Sequence, residues 1–349
     1  EATATAPPLA PSGLSATAVS VSQINLAWTD NSGVESDFHI ERATSASGPF
    51  AEIATVAANT VTYSDTGLPS GTTYYYRVRA HHHASGTYSG YSNVASATTF
   101  SQYYLTVTSP YGNPTPTSGW FDAGTEITAS VTSPWPVDAV GTRYVCTGWI
   151  GSGSVPASGT GTSVTFTINA PSSITWNWKT QYYITVTSTH GSPTQSSQWV
   201  NAGSDFSVSV TTPDVVVADE HRWVLTGLTV DGAPQTVSDT VSFTNVQAAH
   251  SIVFSWTEQF YITVTSAHDT PTASAWVNAG ADFTAQVTSP DYVDATHRWV
   301  CTGYRIDGGA PTAGTSYTFN DVDAAHEIVF NWQEQYYLTV NTSPLGLDN

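Results

Sequence analysis

Three consecutive histidines, His81, His82 and His83, form the string in this sequence best suited to holding a metal ion. Zinc takes three or four convergent ligands, whereas neighbours on an extended segment point to alternate faces. The three rings therefore cannot meet on one ion without help. The expectation is a solvated loop with no metal assigned, and His81, His82 and His83 stand as candidate ligands or partner contacts. Three further histidine positions recur in pairs, His190/His268, His221/His297 and His250/His326. An earlier stretch carries Tyr111, Thr142 and Ser172 in the same slots. Clustered, these histidines would make a metal site or a pH-responsive interface; dispersed, they are ordinary surface groups.

Asp214, Asp219, Glu220, Asp231, Asp291, Asp294, Asp307, Asp321 and Asp323 fall between apolar runs, where loops are expected. Calcium, which takes six to eight oxygens, is the one cofactor candidate they raise, but no D-x-[DN]-x-D-G loop occurs and none is assigned. G-x-S-x-G, H-E-x-x-H and P-loop strings are also missing, so no catalytic residues are assigned and the chain reads as a non-enzyme. Most aromatics recur at fixed places and so read as packing residues, Trp120, Trp199 and Trp276 among them. Trp135, in the Pro-rich "SPWPVD", has no such counterpart. With Tyr104 it is the candidate for an exposed stacking contact to a sugar or another subunit. Asn341, followed by Thr342 and Ser343, is the single N-glycosylation sequon.

Composition narrows the partners. The 349-residue chain carries 27 acids against eight bases, a formal net charge of −19, and Lys179 is its one lysine. No basic patch exists to neutralise phosphates or anionic lipid, which argues against nucleic acid and against an anionic membrane surface. No apolar run approaches the roughly 18 residues of a membrane-spanning helix. A Ser/Thr/Gly-rich sequence poor in Lys and rich in Tyr and Trp suits an exported protein. The polar, Pro-rich "EATATAPPLAPSG" suggests a processed N-terminus leading into a linker. Cys146 and Cys301 occupy a slot where the intervening "RWVLTGL" has Leu225, so free, buried thiols are expected.

The elements that must position these residues repeat. Copies open at Gln102, Gln181, Gln259 and Gln335, giving periods of 79, 78 and 76 residues. Each full copy runs from "QYYLTV"-like residues to a Trp and an Ala-Gly turn, an Arg-aromatic-Val segment, and a closing "WNWK"-like segment. Tyr103, Leu105 and Val107 alternate with Tyr104, Thr106 and Thr108, the period of a half-buried strand, and no window sustains a helical period. "YYLTV", "GWFDAGTEITASV", "YVCTGW" and "WNWK" resemble the divergent InlB-type B-repeats of bacterial surface proteins. Leu228 and Tyr304 stand where the first copy has Trp149. That resemblance implies a surface stalk or adhesive spacer without catalysis.

Residues before the repeats differ. "INLAWTDNS", "DFHIERA", "LPSGTTYYYRVRA" and "YSNVASATT" resemble a fibronectin type III domain. The resemblance implies Trp28 in the core and a corner from Leu68 to Tyr74 anchored by a tyrosine hydroxyl. The fold class expected is thus all-β, a tandem array of small β-sandwich-like modules. Its parts are a segment at 1–6, a type III-like domain at 7–100, repeats at 101–180, 181–258 and 259–334, and a first strand of a fourth repeat at 335–349. A lone strand cannot bury Tyr336, Leu338 and Val340. It either continues into further chain or adds to a neighbouring subunit's sheet. The function expected is an extracellular or cell-surface structural segment, a stalk, adhesin or filament of bacterial or archaeal origin. Its partners would be other copies or neighbouring modules. The alternative is a set of glycan-binding accessory modules of a secreted enzyme.

Overall fold

The computed structural model describes residues 6–136 and 141–341. Among these there is no helix; strands account for all regular structure. Two compact units result, one from the N-terminal domain and repeat 1, the other from repeats 2 and 3 with residues 141–143.

The N-terminal domain has eight strands: β1 (Ser12–Ala18), β2 (Gln23–Thr29), β3 (Asp37–Ala43), β4 (Ala51–Ala57), β5 (Thr62–Thr66), β6 (Thr73–His82), β7 (Thr87–Tyr88) and β8 (Ala95–Thr98). One sheet runs β1-β2-β5; the other runs β4-β3-β6-β7, with β8 also on β6. Ile24, Leu26 and Trp28 face Phe38, Ile40, Tyr76 and Val78 across the sandwich, as period-two alternation requires. Trp28 meets Phe38 edge-on at 5.8 Å. The hydroxyl anchor is Tyr76, not a residue of the Leu68–Tyr74 corner: its O–H donates to Asp65 Oδ2 at 2.9 Å, and Arg42 grips the same carboxylate. Burial first, then Asp65, pushes the Tyr76 phenol far above its usual pKa.

Each repeat lays a two-stranded layer over a larger sheet. In repeat 2 the small layer is Phe206–Ser209 with Thr240–Phe243. It closes over Ile184, Leu225, Ile252 and Phe254 of the larger sheet, with its own Val208 among them. The first and last strands of a repeat run parallel: Ile184–Thr187 beside His250–Val253, and Ile262–Ser266 beside His326–Phe330. Parallel neighbours need a crossover connection, and the intervening strands and small layer supply it.

The repeat boundaries inferred at 180/181, 258/259 and 334/335 fall inside strands, Ser172–Thr187, His250–Ser266 and His326–Tyr336. The strand His250–Ser266 closes repeat 2 and opens repeat 3 without interruption. Ile252 and Phe254 belong to the core of repeat 2, while Ile262 and Val264 belong to that of repeat 3. All four lie on one face of the strand.

Candidate functional sites

The outer face of the β4-β3-β6-β7 sheet is polar and crowded. Antiparallel register sets Asp37 opposite His81, His39 opposite Arg79 and Glu41 opposite Arg77. Phe38, Ile40, Val78 and Ala80 take the core face, so the alternating partners must share the other. Arg77 Nη2 lies 2.6 Å from Glu41 Oε2. At the far end Asp37, only 7% exposed, is surrounded by imidazoles. His81 Nδ1 is 3.2 Å from Oδ1, His83 Nε2 is 2.5 Å from Oδ2, and His39 Nε2 is 3.1 Å from Oδ1. Alternation brings His81 and His83 to this face, whereas His82 bonds the Ser85 hydroxyl in the following turn. Tyr88 stacks on His81 at 4.3 Å, and Glu52 binds His39 Nδ1 at 2.7 Å. The bond to His39 holds Glu52 below its usual carboxylate range. Asp37 and His39 were not singled out in the sequence, although "DFHIE" and "RVRAHHH" carry the alternating polar positions that meet here.

The recurring histidines are dispersed rather than clustered, each with its own carboxylate and aromatic ring. His190 stacks on Trp223 at 4.0 Å near Asp214, and His268 on Trp299 at 3.9 Å near Asp291. Repeat 1 builds the same stack from Tyr111 and Tyr144. His221 and His297 pair with Glu258 and Glu334; His250 and His326 pair with Asp231 and Asp307. Burial raises Asp231, but its histidine and the Ser251 amide outweigh this and leave it below its usual value. Asp307 is likewise held down, by the Glu327 amide and His326 against burial. Among the described residues the one close group of three potential ligands is Asp37, His81 and His83.

The Arg and Gln landmarks of the repeat meet at module junctions. Arg222, on the His221–Val230 strand of repeat 2, donates from Nε to Gln259 Oε1 at 2.9 Å. Gln259 Nε2 in turn donates to Asn278 at 2.9 Å. The Arg222 guanidinium lies over Trp276 at 4.1 Å, and the Tyr261 N–H donates to Glu220 O. Arg143, Gln181, Asn201 and Trp199 reproduce the arrangement, with Arg143 4.3 Å from the Trp199 ring. Arg298 bonds Gln335 in the same way, and both line a cleft of about 310 Å³ with Thr296, His297, Tyr336 and Tyr337. Trp120 has no arginine over it among the described residues. It is 64% exposed and packs edge-on to Tyr104 at 5.4 Å. The Arg-aromatic-Val segment had read simply as a strand; its recurrence with Gln was the available signal.

Other expected site residues fall as follows. Trp135 is half-buried in a two-residue strand paired to Thr142–Ser152 rather than exposed, so the open aromatic pair is Tyr104 with Trp120. Trp120 in turn is a surface residue and not the packing residue its recurrence suggested. Tyr336 ends the last strand, and Leu338 and Val340 beyond it are 82% and 74% exposed. Asn341 is exposed, while residues 342–349 and 1–5 lie outside the described residues. Cys146 and Cys301 are free, and burial pushes both thiols up from their usual pKa. No described helix is long and apolar enough to cross a membrane.

Comparison with known proteins recognises the N-terminal domain. The family model for the fibronectin type III domain matches residues 9–98. An Fn3-like protein from Clostridium thermocellum is 34% identical over 26% of this chain and 92% of its own, with a TM-score of 0.24. A β-1,2-glucanase from Parabacteroides distasonis is 25% identical over 28% of this chain but 14% of its own, with a TM-score of 0.24. The sixth type III domain of human fibronectin type III domain containing protein 3 is 19% identical over 28% and 92%, also at 0.24. No curated protein matches. Residues 9–98, with their two-sheet sandwich and buried Trp28, belong to the fibronectin type III family.

Proposed function

We propose that this chain is a non-catalytic structural segment of a bacterial or archaeal extracellular protein, a stalk or filament part in which repeats act as coupled spacers. The observation that carries the reading is the strand His250–Ser266, which contributes to the cores of repeats 2 and 3 at once. A linker-free joint of this kind makes neighbour contacts part of each repeat's own stability. The Arg222–Trp276 contact adds a second tie. The sequence resemblance of the repeats to InlB-type B-repeats points the same way. Tyr336, Leu338 and Val340 continue the apolar face of the last strand into solvent. Such a face suits further modules, or strand addition to a neighbouring copy. Single-molecule stretching of the full chain tests the coupling. Repeats 2 and 3 should unfold in one correlated step; two independent steps of repeat size would refute it.

A second reading, a carbohydrate-binding accessory module, is favoured by one observation, the exposed Tyr104–Trp120 pair. Aromatic faces of this kind stack on sugar rings. Polysaccharide retention by the monomer would favour it over the spacer role.

A further inference from the structure

We propose that Asp37, His81 and His83 bind a divalent transition-metal ion of the zinc class, with His39 completing the donor set. Ligand atoms of Asp37, His81 and His83 lie within 4.8 Å of one another, close enough to converge on one ion with small side-chain adjustments. Two imidazoles and one carboxylate are donors suited to zinc, nickel or cobalt; calcium and magnesium want oxygen alone.

His39 supplies the independent sign. Its Nδ1 lies 2.7 Å from Glu52, a contact that assigns the ring proton to Nδ1 in the neutral ring. Nε2, the other ring nitrogen, lies 3.1 Å from Asp37 Oδ1 but not in hydrogen-bonding geometry with it, and this buried nitrogen has no partner. A buried nitrogen left without a partner costs free energy, which a cation bound beside Asp37 would offset. Glu52 thereby takes the place of the carboxylate that orients a metal-bound histidine. The backbone supports the same set: β3 and β6 are paired with Asp37 opposite His81, so those two ligands are fixed before any ion arrives. His83, 67% exposed on its side chain, is the member free to close over it. Arg79, opposite His39, is drawn away toward Glu41 and over the Tyr88 ring. Binding would fasten the segment after β6 to the start of β3.

The test is calorimetric titration of the full, tag-free chain with Zn²⁺, repeated on His83→Ala and Glu52→Gln. His83→Ala alters an exposed ligand and should leave folding intact, as its circular dichroism would verify. The expected result is one high-affinity site per chain, lost in His83→Ala and weakened about 10- to 100-fold in Glu52→Gln. Co²⁺ should show the visible absorption bands of an imidazole–carboxylate site, absent in His83→Ala. Binding of equal affinity and stoichiometry in the His83→Ala chain would place the ion on other histidines and overturn the proposal. So would the lack of a saturable site in the unmodified chain.

Discussion

The guanidinium of Arg222 lies 4.1 Å from the ring centre of Trp276 in the following repeat, and Arg143 lies 4.3 Å from Trp199 in the corresponding place. Burial lowers the pKa of both arginines, so the contact is partly shielded from water. Replacing Arg222 by Ala should cost about 1–2 kcal/mol, since the ring contact and the side-chain stem are lost together. Thermal unfolding reads this as a drop of about 2–4 °C per kcal/mol. Arg222→Lys should recover part of it, because the charge stays and the planar stacking does not.

Gly191 has φ +75°, and a Cβ there would collide with the Trp256 ring and the Thr211 carbonyl. Gly191→Ala should therefore destabilise by about 2–4 kcal/mol, from left-handed backbone strain plus overpacking. Repeat 3 has Asp269 in this slot, at φ +59°, with its carboxylate accepting the Thr288 N–H. In repeat 2 the equivalent amide, Thr211 N–H, goes to the Gly191 carbonyl. Gly191→Asp should accordingly cost less than Gly191→Ala in denaturant titrations.

Asp231 and Asp307 have carboxyl pKa values held below the usual 3.8. A group with a lowered folded-state pKa stabilises above its unfolded value, and the contribution fades as pH falls through the folded one. The double variant Asp231→Asn, Asp307→Asn should be less stable than the parent at pH 7. The two should converge only after pH has fallen below 3.8 and through the lowered folded-state values, as unfolding series across pH would show. Both carboxylates are half exposed, so solvent screening keeps the difference small.

Cys146 and Cys301 donate their S–H groups to the carbonyls of Gly148 and Gly303, and burial raises both pKa values. Little thiolate forms at neutral pH, so Ellman's reagent should label the native chain slowly and the unfolded chain at once. Of the two, Cys301 should react first, being less buried.

Trp120 separates the spacer from the glycan reading. Its ring is open to solvent, so Trp120→Ala should leave the melting temperature nearly unchanged. Affinity electrophoresis on polysaccharide gels should show no mobility difference between parent and variant if the modules are spacers. Retardation of the parent that disappears in the variant would support sugar stacking.

Strand alternation made the fold class legible, because Leu105 and Val107 announce a buried face wherever they stand. Trp28 was placed in the core by the resemblance to the type III fold, and it packs there. The junctions were harder to read. Arg222 and Trp276 recur in every full repeat, but recurrence alone does not separate residues that pack within a module from residues that tie two together. Trp120 shows the ambiguity, since it shares a slot with Trp276 and yet stands open. The Asp37 cluster was hidden for a different reason. His81 and His83 are visible as a local string, but their partners Asp37 and His39 reach them through antiparallel register, and register is a long-range property.

The shared strands impose a parity rule on the whole array. Ile252, Phe254, Phe260, Ile262 and Val264 are even-numbered residues on one strand, and they fill two cores from the same side. Trp178 precedes Gln181, Trp256 precedes Gln259 and Trp332 precedes Gln335 by the same three residues, while the full period drifts from 79 to 76. Length variation is therefore confined to the loops. One residue added between Trp256 and Gln259 would invert the phase of everything after it and turn the apolar side of repeat 3's first strand to water. Two residues would restore the facing but shift the register. Such an array can be lengthened by whole modules, yet at its seams it behaves as a reading frame.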